Sequence, residues 1–231
     1  MCGICGIFSF KNEKINHGDL KKMNDLLIHR GPDDEGFYVE ETVGIAMRRL
    51  SIIDLESGKQ PISNETNDII TVFNGEIYNF KEIKNELLSK GHKFKTKTDT
   101  EVIVHLYEEM GTDFPKKLRG MFAVALWDKR KKRLVLTRDR LGKKPLFYYI
   151  DSDYFAFSSE IDSLISFEKV KKTINLTAID SFLTLQYIPA PSTIYKEVKK
   201  LEQAETLVID KNGIKNEKYW EIEERPIKIS F

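Results

Sequence analysis

The sequence predicts an α+β fold in which antiparallel strands pack face to face and helices lie on the outside. Three observations support this expectation. The chain begins with an apolar, β-favouring run from Gly3 to Phe10. Two segments in the middle of the chain repeat apolar residues at helical spacing. Four short apolar segments between residues 121 and 158 are separated by polar turns, which is typical of an antiparallel meander.

The first half of the chain mixes predicted strands with a predicted helix. Apolar residues at helical spacing precede the turn-rich residues 29–36, and they are Leu20, Met23, Leu26 and Leu27. Residues 43–53 are strand-like. Residues 69–73 are apolar and β-branched, so we expect a buried strand there. This strand is expected to stop at Asn74-Gly75, because that dipeptide is a strong turn signal.

Two further helices are predicted before the meander begins. The first has an apolar face between Phe80 and Leu88 and ends near Gly91, where a C-terminal capping glycine belongs. The second helix begins with Asp99 or Thr100 as its N-cap and ends at Gly111. The element order is therefore strand, helix, strands, two helices and then more strands.

The composition is that of a globular protein. The chain has 231 residues, of which 41% are hydrophobic and 32% charged, and its formal net charge is +1. The basic run at residues 129–133 lies between two apolar segments and is predicted to be a solvated hairpin turn, not a nucleic-acid patch. No apolar run approaches the ~20 residues of a membrane helix, and two cysteines make no disulfide framework. We expect a cytoplasmic protein with no nucleic-acid or membrane partner.

Cys2 is the most informative residue, because only the initiator Met1 precedes it. Methionine aminopeptidases remove Met before a small second residue, and the mature chain would then begin with both a thiol and a free α-amine. An ordinary cysteine titrates near pH ~8.5 and an α-amine near ~7.7, so a neutral amine can accept the thiol proton. Enzymes with an N-terminal nucleophile use this pair. The alternative is a small buried cysteine without a catalytic role.

Cys5 raises two other interpretations of the N-terminus. Together with Cys2 it has the C-x-x-C spacing of dithiol redox sites and of half zinc sites. A redox motif should open a helix, whereas a β-favouring run follows here. A zinc site needs about four ligands, and the 4 histidines of the chain show no paired ligand spacing. We therefore expect Cys5 to pack as a small apolar residue, and we expect no metal site.

Seven short motifs follow one another in the first part of the chain. They are Cys2-Gly3-Ile4 with Gly6, His29-Arg30-Gly31-Pro32-Asp33, Arg49-Leu50-Ser51-Ile52-Ile53-Asp54, Phe73-Asn74-Gly75-Glu76-Ile77-Tyr78-Asn79, Asp99-Thr100-Glu101, Leu118-Arg119-Gly120-Met121-Phe122-Ala123, and Arg138-Asp139-Arg140-Leu141-Gly142 with Lys144-Pro145-Leu146. In this order the motifs resemble the class II glutamine amidotransferases, most closely the glutaminase part of glutamine-dependent asparagine synthetases. The resemblance implies the four-layer αββα N-terminal-nucleophile hydrolase fold, with two packed antiparallel sheets flanked by helices.

The resemblance implies catalytic roles for Cys2, Asn74 and Gly75. Attack of a cysteine thiolate on the side-chain amide of glutamine creates a tetrahedral oxyanion, which needs preorganised hydrogen-bond donors. In the family, an asparagine side chain and a glycine backbone N–H at the positions matched by Asn74 and Gly75 supply these donors. The alternative is a plain hairpin turn, which residues 76–79 disfavour because they are predicted to begin a helix.

The resemblance also implies a set of substrate-binding residues. Arg49 is suited to bind the α-carboxylate of glutamine through two parallel hydrogen bonds. Glu76 and Asp99 match positions that bind the α-ammonium group, with a plain helix N-cap as the alternative for Asp99. Backbone contacts to glutamine are expected from Ser51, Ile52 and Ile53. Arg30 is expected to belong to a structural loop, and the alternative is that it orders the pocket.

Two parts of the chain are expected from the resemblance. Residues 2–167 would form the glutaminase domain, and residues 168–231 would form an extension that leads to a C-terminal synthetase domain outside this sequence. Neither a Ser-Gly-Gly-x-Asp-Ser pyrophosphate loop nor a G-x-x-x-x-G-K-[ST] motif occurs. We therefore expect no cofactor in this chain, whereas ATP and Mg²⁺ are expected for the synthetase domain.

The activity implied by the resemblance is hydrolysis of L-glutamine to glutamate and ammonia through a γ-glutamyl thioester on Cys2. The ammonia would serve the ATP-dependent synthesis of asparagine from aspartate. Two alternatives stay open, namely the glutaminase domain of another amidotransferase and a non-catalytic glutamine-binding module. A homodimer is among the assemblies that the sequence allows.

Overall fold

The structure, a computed structural model, describes residues 1–51 and 58–223. Its α-helices are α1 His17–Asp25, α2 Phe80–Ser89, α3 Glu101–Met110, α4 Ile161–Ile165 and α5 Leu176–Leu185. Its strands are β1 Gly3–Ser9, β2 Asp34–Glu40, β3 Val43–Arg49, β4 Ile62–Ser63, β5 Ile69–Ile77, β6 Gly120–Asp128, β7 Arg133–Arg138, β8 Phe147–Ile150, β9 Tyr154–Ser158, β10 Val198–Lys200, β11 Glu205–Asp210 and β12 Gly213–Lys218. A 3₁₀ helix spans Gly111–Lys117. Across these described ranges, no helix is long and apolar enough to cross a membrane.

Two antiparallel sheets of six strands each form the centre of the described chain. The first sheet has the strand order β10-β8-β9-β1-β3-β2, and the second has the order β12-β11-β7-β6-β5-β4. β1 lies between β9 and β3 and is buried along its whole length. In the second sheet β5 pairs with β6 from Ile69 opposite Asp128 to Ile77 opposite Gly120. The two strands that carry the N-terminal motif and the Asn74-Gly75 motif are thus both held by neighbours.

Three apolar clusters separate four layers. Ile4 and Phe8 on β1 point between the sheets and pack with Val72 on β5. Because side chains alternate along a strand, Cys5 and Ile7 point to the other side, where they pack with α1 and α4. A third cluster joins the outer face of the second sheet to α2 and α3. The layers are therefore helices, sheet, sheet and helices, and the αββα fold predicted from the sequence is confirmed.

The prediction that a strand stops at Asn74-Gly75 is wrong. β5 continues through both residues to Ile77, and α2 begins only at Phe80. The local turn signal is overridden because β6 pairs with this stretch, with Asn74 opposite Ala123. Similarly, part of the segment expected to be turn-rich forms β2, which is stabilised by pairing with β3. In both places strand pairing decided the structure.

Residues beyond 167 add strands to both sheets. α5 begins after Asn175, whose side chain accepts a hydrogen bond from the Ala178 N–H. β10 then pairs with β8 in the first sheet, whereas β11 pairs with β7 in the second. A last hairpin follows, with β12 returning along β11 after the turn at Gly213.

Candidate active site

A cavity of about 190 Å³ opens at one end of the space between the two sheets. This volume is many times the roughly 10–15 Å³ that one water needs, and it suits a ligand of amino-acid size. Its lining contains six of the predicted site residues, namely Cys2, Arg49, Asn74, Gly75, Glu76 and Asp99. These six residues combine a thiol, a guanidinium, two carboxylates and amide donors, and they come from four separate segments of the chain.

The Cys2 side chain lies at the mouth of β1, half-buried against the cluster between the sheets. Its sulfur accepts a hydrogen bond from the Leu50 N–H at 3.4 Å and lies 3.8 Å from the Leu50 carbonyl oxygen. Cys5 is fully buried on the opposite face of the same strand, and burial raises the pKa of its thiol far above the ordinary value. Two cysteines on opposite faces cannot share a disulfide or a metal ion, so the C-x-x-C interpretations are excluded.

Arg30 fixes the backbone of the cysteine at the mouth of β1. Its Nε donates to the Cys2 carbonyl oxygen at 3.0 Å, and its Nη1 donates to Glu160 at 2.8 Å. His29 lies 3.0 Å from the same carboxylate. The guanidinium therefore links the Cys2 backbone to Glu160, which agrees with the expected structural loop. A role in ordering the pocket stays a prediction. Arg30 lies 28 residues from Cys2 along the chain, so no local sequence pattern could reveal this contact.

Asn74 and Gly75 present hydrogen-bond donors to the cavity. Asn74 is 1% exposed, and its Nδ2 has no hydrogen-bond partner among the described residues. Backbone N–H groups on the open edge of β5 are bound alternately. The Phe73 N–H donates to Gln60 Oε1 at 2.7 Å and the Ile77 N–H donates to Asp99 Oδ2 at 2.8 Å. The same alternation directs the Gly75 N–H, midway between them, to the edge that lines the cavity.

Glycine at position 75 is required by the close approach of β6. A Cβ atom there would lie 2.1 Å from the Met121 carbonyl oxygen and 2.7 Å from the Phe122 Cα. Any other residue would push the two strands apart and move the neighbouring Asn74 amide. The close packing of β5 against β6, in addition to the Gly75 N–H that faces the cavity, thus explains why a glycine follows Asn74.

The charged walls of the cavity are almost completely buried. Arg49 is 5% exposed and Asp99 is 6% exposed. Burial raises the pKa of Asp99 to about 6, and the negative charge of Glu76 adds to this shift, although the Ile77 N–H opposes it. The N-cap residue of α3 is Thr100, one position after Asp99, and Asp99 Oδ2 accepts from the Ile77 N–H. A carboxylate with so high a pKa is suited to bind a cationic group.

The predicted backbone contacts after Arg49 are only in part within the described chain. The Ser51 N–H donates to Asp33 Oδ2 at 2.8 Å, which ties this segment to the motif that begins at His29. Ile52 and Ile53 lie outside the described residues.

Two further cavity residues were not found from the sequence. Gln60 is 9% exposed and links β5 to α3, because its Oε1 accepts from Phe73 and its Nε2 lies 3.5 Å from Thr100 Oγ1. Lys144 is 6% exposed, and its Nζ lies 3.4 Å from the sulfur of Met1, which also lines the cavity. Lys144 stands in one of the seven motifs, which was the signal available for it. Gln60 precedes a proline and carried no such signal.

Comparison with known proteins agrees with this geometry. A family model described as a glutamine amidotransferase domain matches residues 1–220, and the chain belongs to this family. The chain is 40% identical over 217 residues to asparagine synthetase [glutamine-hydrolyzing] 1 of Bacillus subtilis, covering 92% of the chain and 34% of the relative. It is 34% identical over 220 residues to asparagine synthetase B [glutamine-hydrolyzing] of Escherichia coli, covering 93% and 38%. The chain thus spans about a third of the length of these enzymes.

Solved structures share the fold. The allosteric regulatory enzyme of purine biosynthesis superposes with a TM-score of 0.72 at 18% identity, covering 95% of this chain and 49% of that one. Glutamine phosphoribosylpyrophosphate amidotransferase from B. subtilis gives a TM-score of 0.68 at 19% identity, with 95% and 49% covered. At these identities the likeness concerns the fold alone. The family model and the curated relatives confirm the motif resemblance found in the sequence.

Proposed function

We propose that this chain hydrolyses L-glutamine to glutamate and ammonia through a γ-glutamyl thioester on Cys2. The observation that carries the proposal is the buried Asn74 Nδ2, a donor without a partner in the described chain, in the same cavity as the Cys2 thiol. A buried unpaired donor costs about 1–3 kcal/mol. Such a donor is explained if it binds the oxyanion that forms when the thiol attacks an amide.

The proposed sequence of steps uses groups of this chain. Once Met1 is removed, the Cys2 α-amine accepts the thiol proton and the thiolate attacks the side-chain amide carbon of glutamine. Asn74 Nδ2 and the Gly75 N–H donate to the resulting oxyanion. The ammonium returns its proton to the leaving nitrogen, ammonia departs and the thioester remains. Water then adds to the thioester with the amine as base, and glutamate leaves as the Cys2 sulfur regains its proton.

Substrate binding is proposed to follow the charges of the cavity. The Arg49 guanidinium binds the α-carboxylate of glutamine, whereas Asp99 and Glu76 bind the α-ammonium group. Removal of Met1 is also expected to free the Lys144 ammonium from its contact with the Met1 sulfur and to enlarge the cavity. Ser51, Ile52 and Ile53 remain candidates for backbone contacts.

Cys2→Ala with Cys5→Ala as its matched control tests the mechanism. Glutamate release and intact mass are measured after incubation with glutamine. We expect the parent and Cys5→Ala to release glutamate and to show the mass of a γ-glutamyl adduct, and we expect Cys2→Ala to show neither. Glutamate release by pure Cys2→Ala would refute the thioester mechanism. Binding of glutamine without any turnover by a chain that starts at Cys2 would favour the binding-module alternative.

The ammonia is proposed to pass to an ATP-dependent synthetase domain that makes asparagine from aspartate. Support comes from the names of the relatives, which are about three times longer than this chain. Exposed apolar side chains on and after α5 offer a surface for further protein, and they are Leu176, Phe182, Leu183, Leu185 and Tyr187. ATP and Mg²⁺ would be bound by that domain.

A single incubation tests whether this chain needs a separate domain to make asparagine. The purified chain is given glutamine, aspartate and Mg-ATP, and glutamate, asparagine and AMP are measured separately. We expect glutamate alone, at a rate independent of ATP and aspartate. Asparagine or AMP formed in proportion to the protein would mean that this chain contains an ATP site of its own.

A further inference from the structure

Two histidines and two glutamates converge on the side of α3 that faces away from the cavity. They are Glu65, His92, His105 and Glu108, and one ligand atom of each lies within 4.8 Å of the others. We call them the His/Glu cluster. Glu65 follows β4, His92 follows α2, and the other two residues stand three apart on α3, so that they share one helix face. The sequence analysis found no ligand spacing because the four residues belong to three segments.

We propose that the His/Glu cluster binds one divalent transition-metal ion, for which Zn²⁺ is the probe. His105 Nδ1 lies 3.4 Å from Glu65 Oε2 and 3.3 Å from Glu108 Oε2, and His92 Nδ1 lies 3.6 Å from Glu108 Oε2. Tetrahedral zinc with bonds of ~2.1 Å places neighbouring ligand atoms ~3.4 Å apart. Three of the six distances between ligand atoms are already close to this spacing, and all six lie within 4.8 Å.

Three of the four side chains are also held through their other polar atom. Glu65 Oε1 accepts from the Lys93 N–H at 2.7 Å, and Glu108 Oε1 accepts from Asn64 Nδ2 at 2.9 Å. His92 Nε2 lies 3.2 Å from Glu109 Oε1.

The supports of the two histidines complete the arrangement. His105 is 1% exposed, and its Nε2 faces Glu101 Oε1 at 3.8 Å without a hydrogen bond in the described chain. A carboxylate behind a ligating imidazole is the usual support in metal sites, because it orients the ring and raises its basicity. Both imidazoles of the His/Glu cluster have one.

The charge of the region favours a cation. The carboxylates of Glu65, Glu101, Glu108 and Glu109 surround two imidazoles whose ring centroids are 4.9 Å apart. Two neighbouring imidazolium ions would repel each other, whereas a metal ion binds two neutral rings and still neutralises carboxylates. The rival occupant is a proton. Burial lowers the pKa of His105, but the neighbouring carboxylates outweigh it and raise the pKa to about 9.

An ion bound here would join three segments behind the cavity. It would tie the β4–β5 connection and the end of α2 to α3, whose first turn follows Asp99 directly. Since only the folded chain presents this ligand set, Zn²⁺ is expected to raise the melting temperature. The proposal does not depend on glutamine hydrolysis.

The test uses the full chain carrying Cys2→Ala, because a free N-terminal cysteine would itself chelate zinc. After treatment with a chelator and dialysis against Zn²⁺, bound metal is counted by atomic emission and its affinity is measured by competition with a chromophoric chelator. We expect about one Zn²⁺ per chain. Co²⁺ should give the visible absorption bands of a four-coordinate site.

Matched variants assign the ligands. Glu65→Gln and His92→Gln are each expected to weaken Zn²⁺ binding at least a hundredfold, and Glu109→Gln by about tenfold, as for outer partners of metal ligands. Glu82→Gln and His17→Gln, exposed residues outside the His/Glu cluster, should leave the affinity unchanged. Circular dichroism shows that each variant is folded before it is compared.

Two results would overturn the proposal. One is a folded parent chain that retains no Zn²⁺ after dialysis, which would leave the proton as the occupant. The other is an unchanged Zn²⁺ affinity in folded Glu65→Gln and His92→Gln. The metal would then be bound elsewhere.

Discussion

Two buried polar regions flank β5 and α3, and their hydrogen bonding differs sharply. In the cavity, Asn74 Nδ2 has no partner in the described chain, and the pKa of Asp99 is raised to about 6. Beside the His/Glu cluster, Asn64 is equally buried, yet it accepts from two backbone N–H groups and donates to Glu108 and Asp68. Glu101 accepts from Lys95 and Thr96.

The same contrast appears in the two carboxylates that stand two residues apart at the start of α3. Burial opposes ionisation of both, but the nearby His105 imidazole and hydrogen bonds from the Lys95 and Thr96 backbone hold the pKa of Glu101 at about 2. Asp99 has fewer donors and faces another carboxylate, so its pKa moves in the opposite direction. Satisfied polar groups hold the fold together, and polar groups left unsatisfied mark the place where a ligand completes them.

The largest effects are expected from replacing Asn74 and Asn64, and they should fall on different quantities, the turnover rate and the stability. Asn74→Ala should lower kcat by about 10²–10³, because an oxyanion donor acts mainly in the transition state, and it should leave stability nearly unchanged. Asn64→Ala should instead lower the free energy of unfolding by about 3 kcal/mol, since it leaves several buried groups unpaired. Steady-state kinetics and urea unfolding of both variants provide the measurement. A change in KM alone for Asn74→Ala would contradict the oxyanion role.

Asp99→Asn should raise the KM for glutamine by roughly 100-fold, because one partner of a buried charge pair is lost. The effect on kcat should be small. The asparagine can still accept from the Ile77 N–H, so the fold should be retained. Initial rates across a wide range of glutamine concentration measure both constants. An unchanged KM would show that the α-ammonium group is bound elsewhere, with Glu76 as the next candidate.

The pH dependence of stability should have opposite signs for the two carboxylates. The pKa of Asp99 is raised from 3.8 to about 6. Between about pH 4 and 6 the folded state therefore holds a proton that the unfolded state has lost, and the free energy of unfolding falls as the pH rises through this range. Asp99→Asn should therefore be no more stable than the parent near pH 4, and more stable by up to about 3 kcal/mol above pH 6. Urea unfolding from pH 4 to 7 measures the difference. A constant difference would mean that the Asp99 pKa is not raised.

Glu101→Gln should lower the free energy of unfolding by about 2 kcal/mol at neutral pH, because an amide cannot accept from all the donors that surround this carboxylate. The folded pKa of about 2 lies below the ordinary 4.5, so this contribution is present above pH 4.5 and is lost as the pH falls towards 2. Thermal unfolding at neutral and acidic pH measures it. Glutamine turnover by the folded variant should match that of the parent, and a loss of turnover would place Glu101 in the cavity after all.

Local sequence was sufficient for most elements and for several site residues. The four apolar segments predicted between residues 121 and 158 are the strands β6 to β9, and the helices α2 and α3 were found from their apolar periodicity. Cys2 was identified from its position in the chain and the motifs from their order. These properties depend on neighbours within a few residues, and a single sequence contains that information.

Partnerships between distant segments could not be predicted in this way. Arg30 reaches the Cys2 carbonyl across 28 residues, and Glu160 binds Arg30 across 130. The Asn74-Gly75 pair looks like a turn locally and is a strand because β6 covers it.

The sequence by itself therefore determined most of the helices and strands and the motifs. Through the resemblance of those motifs it predicted the four-layer fold and Cys2 as the candidate nucleophile. Only the tertiary structure decided which donors stay unpaired, which of two neighbouring carboxylates has a raised pKa, and that Glu65, His92, His105 and Glu108 meet. The physical reason is that hydrogen-bond satisfaction and desolvation depend on everything packed around a group, whereas periodicity depends only on the residues beside it in the chain.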